Sequence, residues 1–174
     1  MTDTASPPYR VEPLTKLHDR AAFTCGSEAL DRYFKTQVTQ DIRRRVAKCM
    51  VAVDDASGAV AGYYTLSATS LALTELPPQL TKSPPRYPVV PAVLMGRLAV
   101  ASDARGQKLG RALLAHALEY VATSQIGAFA IVVDAKDDAA QKFYERHGFV
   151  EISSNGRRLV LAVATALAAL GAAP

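Results

Sequence analysis

The order of predicted elements places this chain among the α/β (α+β) proteins, as a mixed sheet with helices on its faces. Two observations carry that expectation. An early helix is followed by a strand pair and then by a β-α-β-α-β-β succession. The 174 residues, 49% of them apolar, suit one ordinary α/β domain spanning 1–174 and are too few for two comfortable ones.

The elements follow from local pattern. Residues 1–9 read as a flexible tail, since Met1 to Pro13 is polar and proline-rich and lacks the core of a signal peptide. Ser27 caps a helix whose apolar positions Leu30, Phe34, Val38, Ile42 and Val46 recur every four residues, one buried stripe with Tyr33 beside it. Arg32, Lys35, Arg43, Arg44 and Lys48 fall mainly off that stripe, so the outer face is basic. Met50 to Val53 and Val60 to Leu71 read as a hairpin about the turn Asp55–Gly58. Thr74 to Pro91 holds six of the ten prolines, which bars a regular helix or central strand. Such a loop is either functional or a plain surface connection.

Val93 to Val100 is a strongly apolar strand, and Ala101 to Gly106 a turn. Leu109, Leu113, Leu114, Ala117, Leu118 and Val121 then mark an amphipathic helix. Phe129 to Val133 is a core strand. Asp137 or Asp138 caps a helix that carries Phe143 and Tyr144 and stops at Gly148. Phe149 to Ile152 and Arg158 to Val163 close the chain as a hairpin about the turn Ser153–Gly156.

Composition excludes some classes. Cys25 and Cys49 lie far apart with no Cys or His at ligand spacing, which points away from a disulfide framework or metal site and toward a reducing cytoplasm. The uncharged run Leu159 to Ala173 falls short of the roughly 20 residues that cross a bilayer, so it reads as a core strand and a short packing helix, with no membrane role. A net charge of +4 suits an anionic partner such as a nucleotide cofactor or an RNA, but also occurs with neutral partners.

The strand-turn-helix unit from Leu94 to Gly110 carries the chemistry. A helix start leaves backbone N–H groups unpaired and bears partial positive charge, so it accepts a pyrophosphate where small residues allow close approach. Gly106 and Gly110 allow it, and Arg105, Lys108 and Arg111 add cations. On its own, the stretch reads equally well as a solvated glycine turn.

Arg105-Gly-Gln-Lys-Leu-Gly110 resembles motif A of the GNAT acetyltransferases, Arg/Gln-x-x-Gly-x-Gly/Ala, with Lys108 in place of the middle glycine. Phe143-Tyr-Glu-Arg-His-Gly-Phe149 resembles the Phe-Tyr-x-x-x-Gly-Phe segment that closes motif B. The resemblance implies a GNAT fold, a mixed sheet of about six to seven strands flanked by helices. It implies acetyl-CoA as donor, held by Leu98, Ala99 and Val100 and by Arg105, Gly106, Gln107, Lys108, Leu109, Gly110 and Arg111. It gives Tyr144 the role of the acid that protonates the departing thiolate, a task suited to a phenol of pKa near ~10. His116 and His147, one on the motif A helix and one at a helix end, are poor candidates for a base. Glu75 and Asp103 are the only carboxylates near the site-forming segments, which leans toward an α-amine substrate deprotonated through water.

Phe23–Asp31, Gly62–Leu66, Gly96–Val100 and Asp134–Asp138 together are similar to the toxin branch of GNAT enzymes, roughly from Arg10 to Val163. That similarity implies acetylation of aminoacyl-tRNA, blocked translation, a homodimer and a small ribbon-helix-helix antitoxin. For the tRNA, Arg43, Arg44, Arg45 and Lys48, with Lys35 and Arg32, offer cations, as does Arg86 in the proline-rich loop. A solvated helix face explains the same residues. The open rivals are acetylation of a peptide N-terminus, polyamine or antibiotic, and a non-catalytic acyl-CoA-binding module.

Overall fold

The computed structural model describes residues 8–81, 86–152 and 156–169. Seven strands form one mixed sheet in the order β1-β2-β3-β4-β5-β7-β6, as expected. The described residues cluster into two compact units, 8–66 with 97–116 and 67–96 with 117–169.

In the first unit, β1 (Tyr9–Pro13) lies antiparallel to β2 (Lys48–Asp54), from Tyr9↔Asp54 to Pro13↔Met50. Residues 8 and 9 of the expected tail are therefore ordered; residues 1–7 lie outside the described chain. Ladder pairing on the sheet edge, rather than any apolar run, makes this segment a strand. β3 (Val60–Ala72) pairs with β2 across a bulge at Ala52/Val53. The first seven residues of β3 are all buried, which means both faces of the strand are covered there.

The helix expected to run through Val46 is broken. Ser27 Oγ accepts from the Leu30 N–H at the start of α1 (Glu28–Arg32). A π-helical turn, Tyr33–Gln37, follows, and α2 (Val38–Arg43) completes the segment. Phe34 and Val38 are fully buried, and Phe34 stacks on Tyr63 at 4.3 Å. Arg20 Nη1 donates to the Phe34 carbonyl at 2.7 Å. The helix stops because Arg45 takes the left-handed region (φ 59°), and the Arg45 and Val46 N–H groups turn back to the Ile42 and Asp41 carbonyls. That is a Schellman end built without glycine. Val46 is left 57% exposed, outside the stripe assigned to it.

β4 (Val89–Val100) begins four residues before the expected start, inside the proline-rich segment. It enters from the second unit, where it runs parallel to β5 (Ala130–Asp134), from Ala92↔Ala130 to Met95↔Val133. The proline-rich segment forms two short 3-10 turns, Leu73–Glu75 and Pro78–Leu80, and Leu76 is buried. Residues 82–85 lie outside the described chain.

α3 (Leu109–Ala122) buries Leu109, Leu113, Leu114, Ala117 and Val121, as its periodicity predicts. In the second unit, Leu71, Leu76, Val90, Ala92, Ala130, Val132 and Val160 form one apolar cluster. α4 (Asp138–Arg146) is capped by Asp137, whose Oδ1 accepts from the Ala140 N–H at 2.8 Å. It ends at Gly148 (φ 91°). β6 (Val150–Glu151) and β7 (Arg158–Ala162) pair antiparallel; of their turn, residues 153–155 lie outside the described chain. α5 (Val163–Ala169) is the short packing helix expected after the last strand, with residues 170–173 of that run outside the described chain. Among the described residues no helix is long and apolar enough to cross a membrane.

Candidate active site

The loop between β4 and α3 is built in the first unit. The register of β4 with β5 stops at Met95, so the strand's last five residues present one backbone edge with no ladder partner. Ala99 on this stretch is buried, and Leu98 and Val100 are half-buried. Close packing holds the strand end in place. A Cβ on Gly62 would lie 2.8 Å from Leu113 Cδ1 and 2.9 Å from the Ala99 carbonyl oxygen, so only glycine lets β3 and α3 meet there. A bond from the Ala101 N–H to the Ala61 carbonyl (2.8 Å) continues that contact.

A 3-10 turn, Ser102–Ala104, leads into the loop. Gly106 has φ 81°, and nothing lies within 4 Å of where its Cβ would be. The bond from the Ala112 N–H to the Lys108 carbonyl opens the helical ladder, leaving the Leu109, Gly110 and Arg111 N–H groups ahead of it. Such helix-start donors with partial positive charge fit a pyrophosphate on chemical grounds.

The charged side chains of this loop differ in their commitments. Arg105 Nη2 donates to the Cys25 carbonyl and lies against Gly26, whose added Cβ would come within 2.6 Å of it. Gln107 Oε1 accepts from the Tyr9 hydroxyl. Lys108 and Arg111 are exposed, and neither side chain carries a hydrogen bond or ion pair among the described residues. Lys108 also holds the left-handed region, φ 59°, where a side chain is disfavoured and glycine is not.

Tyr144 belongs to the second unit. Its ring is 7% exposed and packs edge-on against Phe143 (5.3 Å) and Phe149 (5.4 Å). Burial pushes its phenol up to about 12, because the charged form loses water. None of the described residues hydrogen-bonds its hydroxyl. Its oxygen is also absent from the buried atoms left without a partner, so it retains access to solvent.

Three of the four other titratable candidates already have partners. His116 Nδ1 lies 2.8 Å from the Tyr64 hydroxyl, and His147 Nδ1 lies 2.7 Å from the Phe143 carbonyl oxygen. Glu75 Oε2 accepts from the Ala72 N–H at 2.8 Å. Asp103 is exposed.

Arg43, Arg44 and Arg45 are exposed at the carboxyl end of α2, where the helix dipole also favours cations; Lys48 is exposed at the start of β2. Arg86 is exposed beside Tyr87, which is 71% exposed. Arg32 is ion-paired to Glu28 at 3.0 Å.

Three features escaped sequence reasoning. The Arg97 guanidinium sits 3.4 Å from the centroid of the Tyr33 ring, whose hydroxyl donates to Asp41 at 2.9 Å. Arg105 meets Cys25 across 80 residues, and Tyr9 meets Gln107 across 98. Only the glycine at position 26 hinted at a tight backbone there.

A family model described as "Acetyltransferase (GNAT) domain" matches residues 45–151, which span both motif segments. The chain is 31% identical over 155 residues, 88% of its length and 91% of the relative's, to a tRNA-acetylating toxin of Mycobacterium tuberculosis. Among solved structures, AtaT complexed with acetyl-methionyl-tRNAfMet superposes with a TM-score of 0.85 at 26% identity, covering 93% of this chain and 99% of that one. AtaTR bound with AcCoA superposes with a TM-score of 0.81 at 27% identity, covering 94% and 98%. The family model spans more than half of the chain, and the chain belongs to the GNAT acetyltransferase family.

Proposed function

We infer that this chain moves the acetyl group of acetyl-CoA onto the α-amine of an aminoacyl-tRNA and so blocks translation, as the toxin of a toxin–antitoxin pair. The observation that carries the reading is identity of 31% over 88% of the chain to a relative named for that activity on tRNA. Donor binding is supported by the open start of α3. There the N–H groups from Gly106 to Arg111 would hold the pyrophosphate, and the unpaired edge at Leu98, Ala99 and Val100 would hold the pantetheine arm.

Bound acetyl-CoA supplies an activated acetyl group as a thioester. As the acetyl group passes to the amine, negative charge moves onto the departing sulfur. Tyr144 is the acid of this reading: burial keeps its phenol protonated at neutral pH, and none of the described residues competes for its hydroxyl. The attacking group must be neutral. An α-amine, pKa near ~8, is partly neutral at pH 7, whereas a lysine near ~10.4 needs a base. Glu75 is spent on a backbone N–H, which favours the α-amine and deprotonation through water.

Arg43, Arg44, Arg45, Lys48 and Arg86 make up the cationic surface proposed for tRNA phosphates. The same reading makes the chain one functional domain, cytoplasmic and homodimeric, neutralised by a small ribbon-helix-helix antitoxin. The test is release of coenzyme A thiol from acetyl-CoA with charged tRNAs, uncharged tRNA, peptide N-termini and polyamines in parallel. Turnover confined to charged tRNA supports the reading. Turnover only on a peptide or polyamine overturns the substrate, and none on any amine overturns the enzyme.

A further inference from the structure

We propose that Lys108, not Arg105, supplies the side-chain charge that holds a phosphate of the acetyl donor. This rests on the donor-binding reading above and deepens it. In motif A the first position is the arginine and the middle position a glycine. Here the arginine, though exposed, already has a protein partner: Arg105 Nη2 donates to the Cys25 carbonyl and lies beside Gly26, which has φ 85°. Its guanidinium fastens the 25–26 turn to the loop, a positioning role that leaves less of its charge for a ligand. The glycine position carries Lys108, held at φ 59°.

A lysine in the left-handed region is disfavoured, and nothing among the described residues compensates it, since its side chain has neither hydrogen bond nor ion pair. A strained, unpartnered cation immediately before the free N–H groups of Leu109, Gly110 and Arg111 is placed for an anion arriving there. The cation with no protein partner among the described residues thus stands three residues after the first motif position, on a flexible stem that reaches as a point charge.

The experiment is calorimetric titration of acetyl-CoA and of 3′-dephospho-acetyl-CoA into wild-type protein, Lys108→Gly, Lys108→Met, Lys108→Arg and Arg105→Gln at a series of salt concentrations. Lys108→Gly and Lys108→Met are expected to weaken acetyl-CoA binding roughly tenfold at low salt, with the gap closing as salt screens it. Lys108→Arg keeps the affinity. If the gap vanishes with the dephospho donor, Lys108 serves the 3′-phosphate; if it persists, it serves the pyrophosphate. Arg105→Gln is expected to lower the melting temperature while keeping the wild-type salt dependence, and Lys108→Gly to melt no lower than wild type. Equal affinity and equal salt dependence for wild type and Lys108→Gly overturn the inference, while the donor reading survives. A wild type that binds no acetyl-CoA overturns both.

Discussion

Replacing Tyr144 by phenylalanine removes one oxygen and little else. The ring keeps its edge contacts with Phe143 and Phe149. Because the hydroxyl has no hydrogen-bond partner among the described residues, its loss leaves no buried group unsatisfied. The expected change in folding stability is therefore within about 0.5 kcal/mol. The chemical cost is larger. General acid catalysis contributes about 10²- to 10⁴-fold, or roughly 3 to 5 kcal/mol of barrier. Burial keeps the phenol protonated through neutral pH, so it can donate to the sulfur as negative charge builds there. The amine loses a proton as the amide forms, which restores the phenol and leaves the thiol neutral. The assay is initial-rate acetylation of charged tRNA, with thermal melting and acetyl-CoA calorimetry alongside. Expected is a fall in kcat of at least 100-fold, with an unchanged melt and an unchanged donor affinity. A kcat within about threefold of wild type refutes the role of Tyr144, and so does a loss of rate matched by a loss of fold.

Other consequences follow from packing and charge. Gly62→Ala forces a methyl against the Ala99 carbonyl and Leu113, with an expected cost of about 1–3 kcal/mol in a denaturant melt and weaker acetyl-CoA binding; a neutral result rejects the role given to that close approach. Arg43→Ala and Arg44→Ala combined with Arg45→Gly should weaken tRNA acetylation and flatten its salt dependence. Glycine is used at 45 because it relieves the left-handed strain there, so the fold should be no less stable. Normal tRNA turnover at every salt concentration would exclude this docking face. Raising pH should erode stability from about 9, where the buried Cys49 thiol, pushed up to about 12, resists ionisation that the unfolded chain accepts, and more steeply above 10. Tyr144 is lifted by burial to about 12 from an ordinary 10, so the folded state resists ionisation that the unfolded chain accepts. Burial raises Tyr33 and Tyr63 in the same direction, and phenolate absorbance should therefore rise together with unfolding. Phenolate from these rings in a folded protein near pH 10 would contradict their burial.

Where local pattern and tertiary demand agree, the structure was legible in the residues. α3 and α4 both have apolar spacing and motif residues, α4 adds an aspartate cap and a glycine stop, and both stand where expected. β1 was not legible. Tyr9, Val11 and Pro13 alternate with Arg10 and Glu12, but five residues in a polar, proline-rich stretch are too few to tell a strand from a tail, and the five register pairs with β2 decide it. The early helix misled for the opposite reason: its apolar stripe runs on to Val46, but Arg45 turns the backbone left-handed and ends it without any glycine to signal the stop. The π-helical turn at Tyr33–Gln37 likewise has no sequence mark. At the candidate site, the glycines and the tyrosine were visible, but the destination of the Arg105 side chain was not. A contact with Cys25, 80 residues away, is decided by the folded backbone alone.

Acetyl transfer to the amino group of a charged tRNA is visible in mass spectrometry of the 3′-terminal aminoacyl-adenosine released by nuclease after incubation with acetyl-CoA. One added acetyl group on the amino acid nitrogen is expected, absent when Tyr144→Phe replaces the wild type. Aminoacyl-adenosine of unchanged mass, with the wild-type protein folded and the donor present, would contradict it.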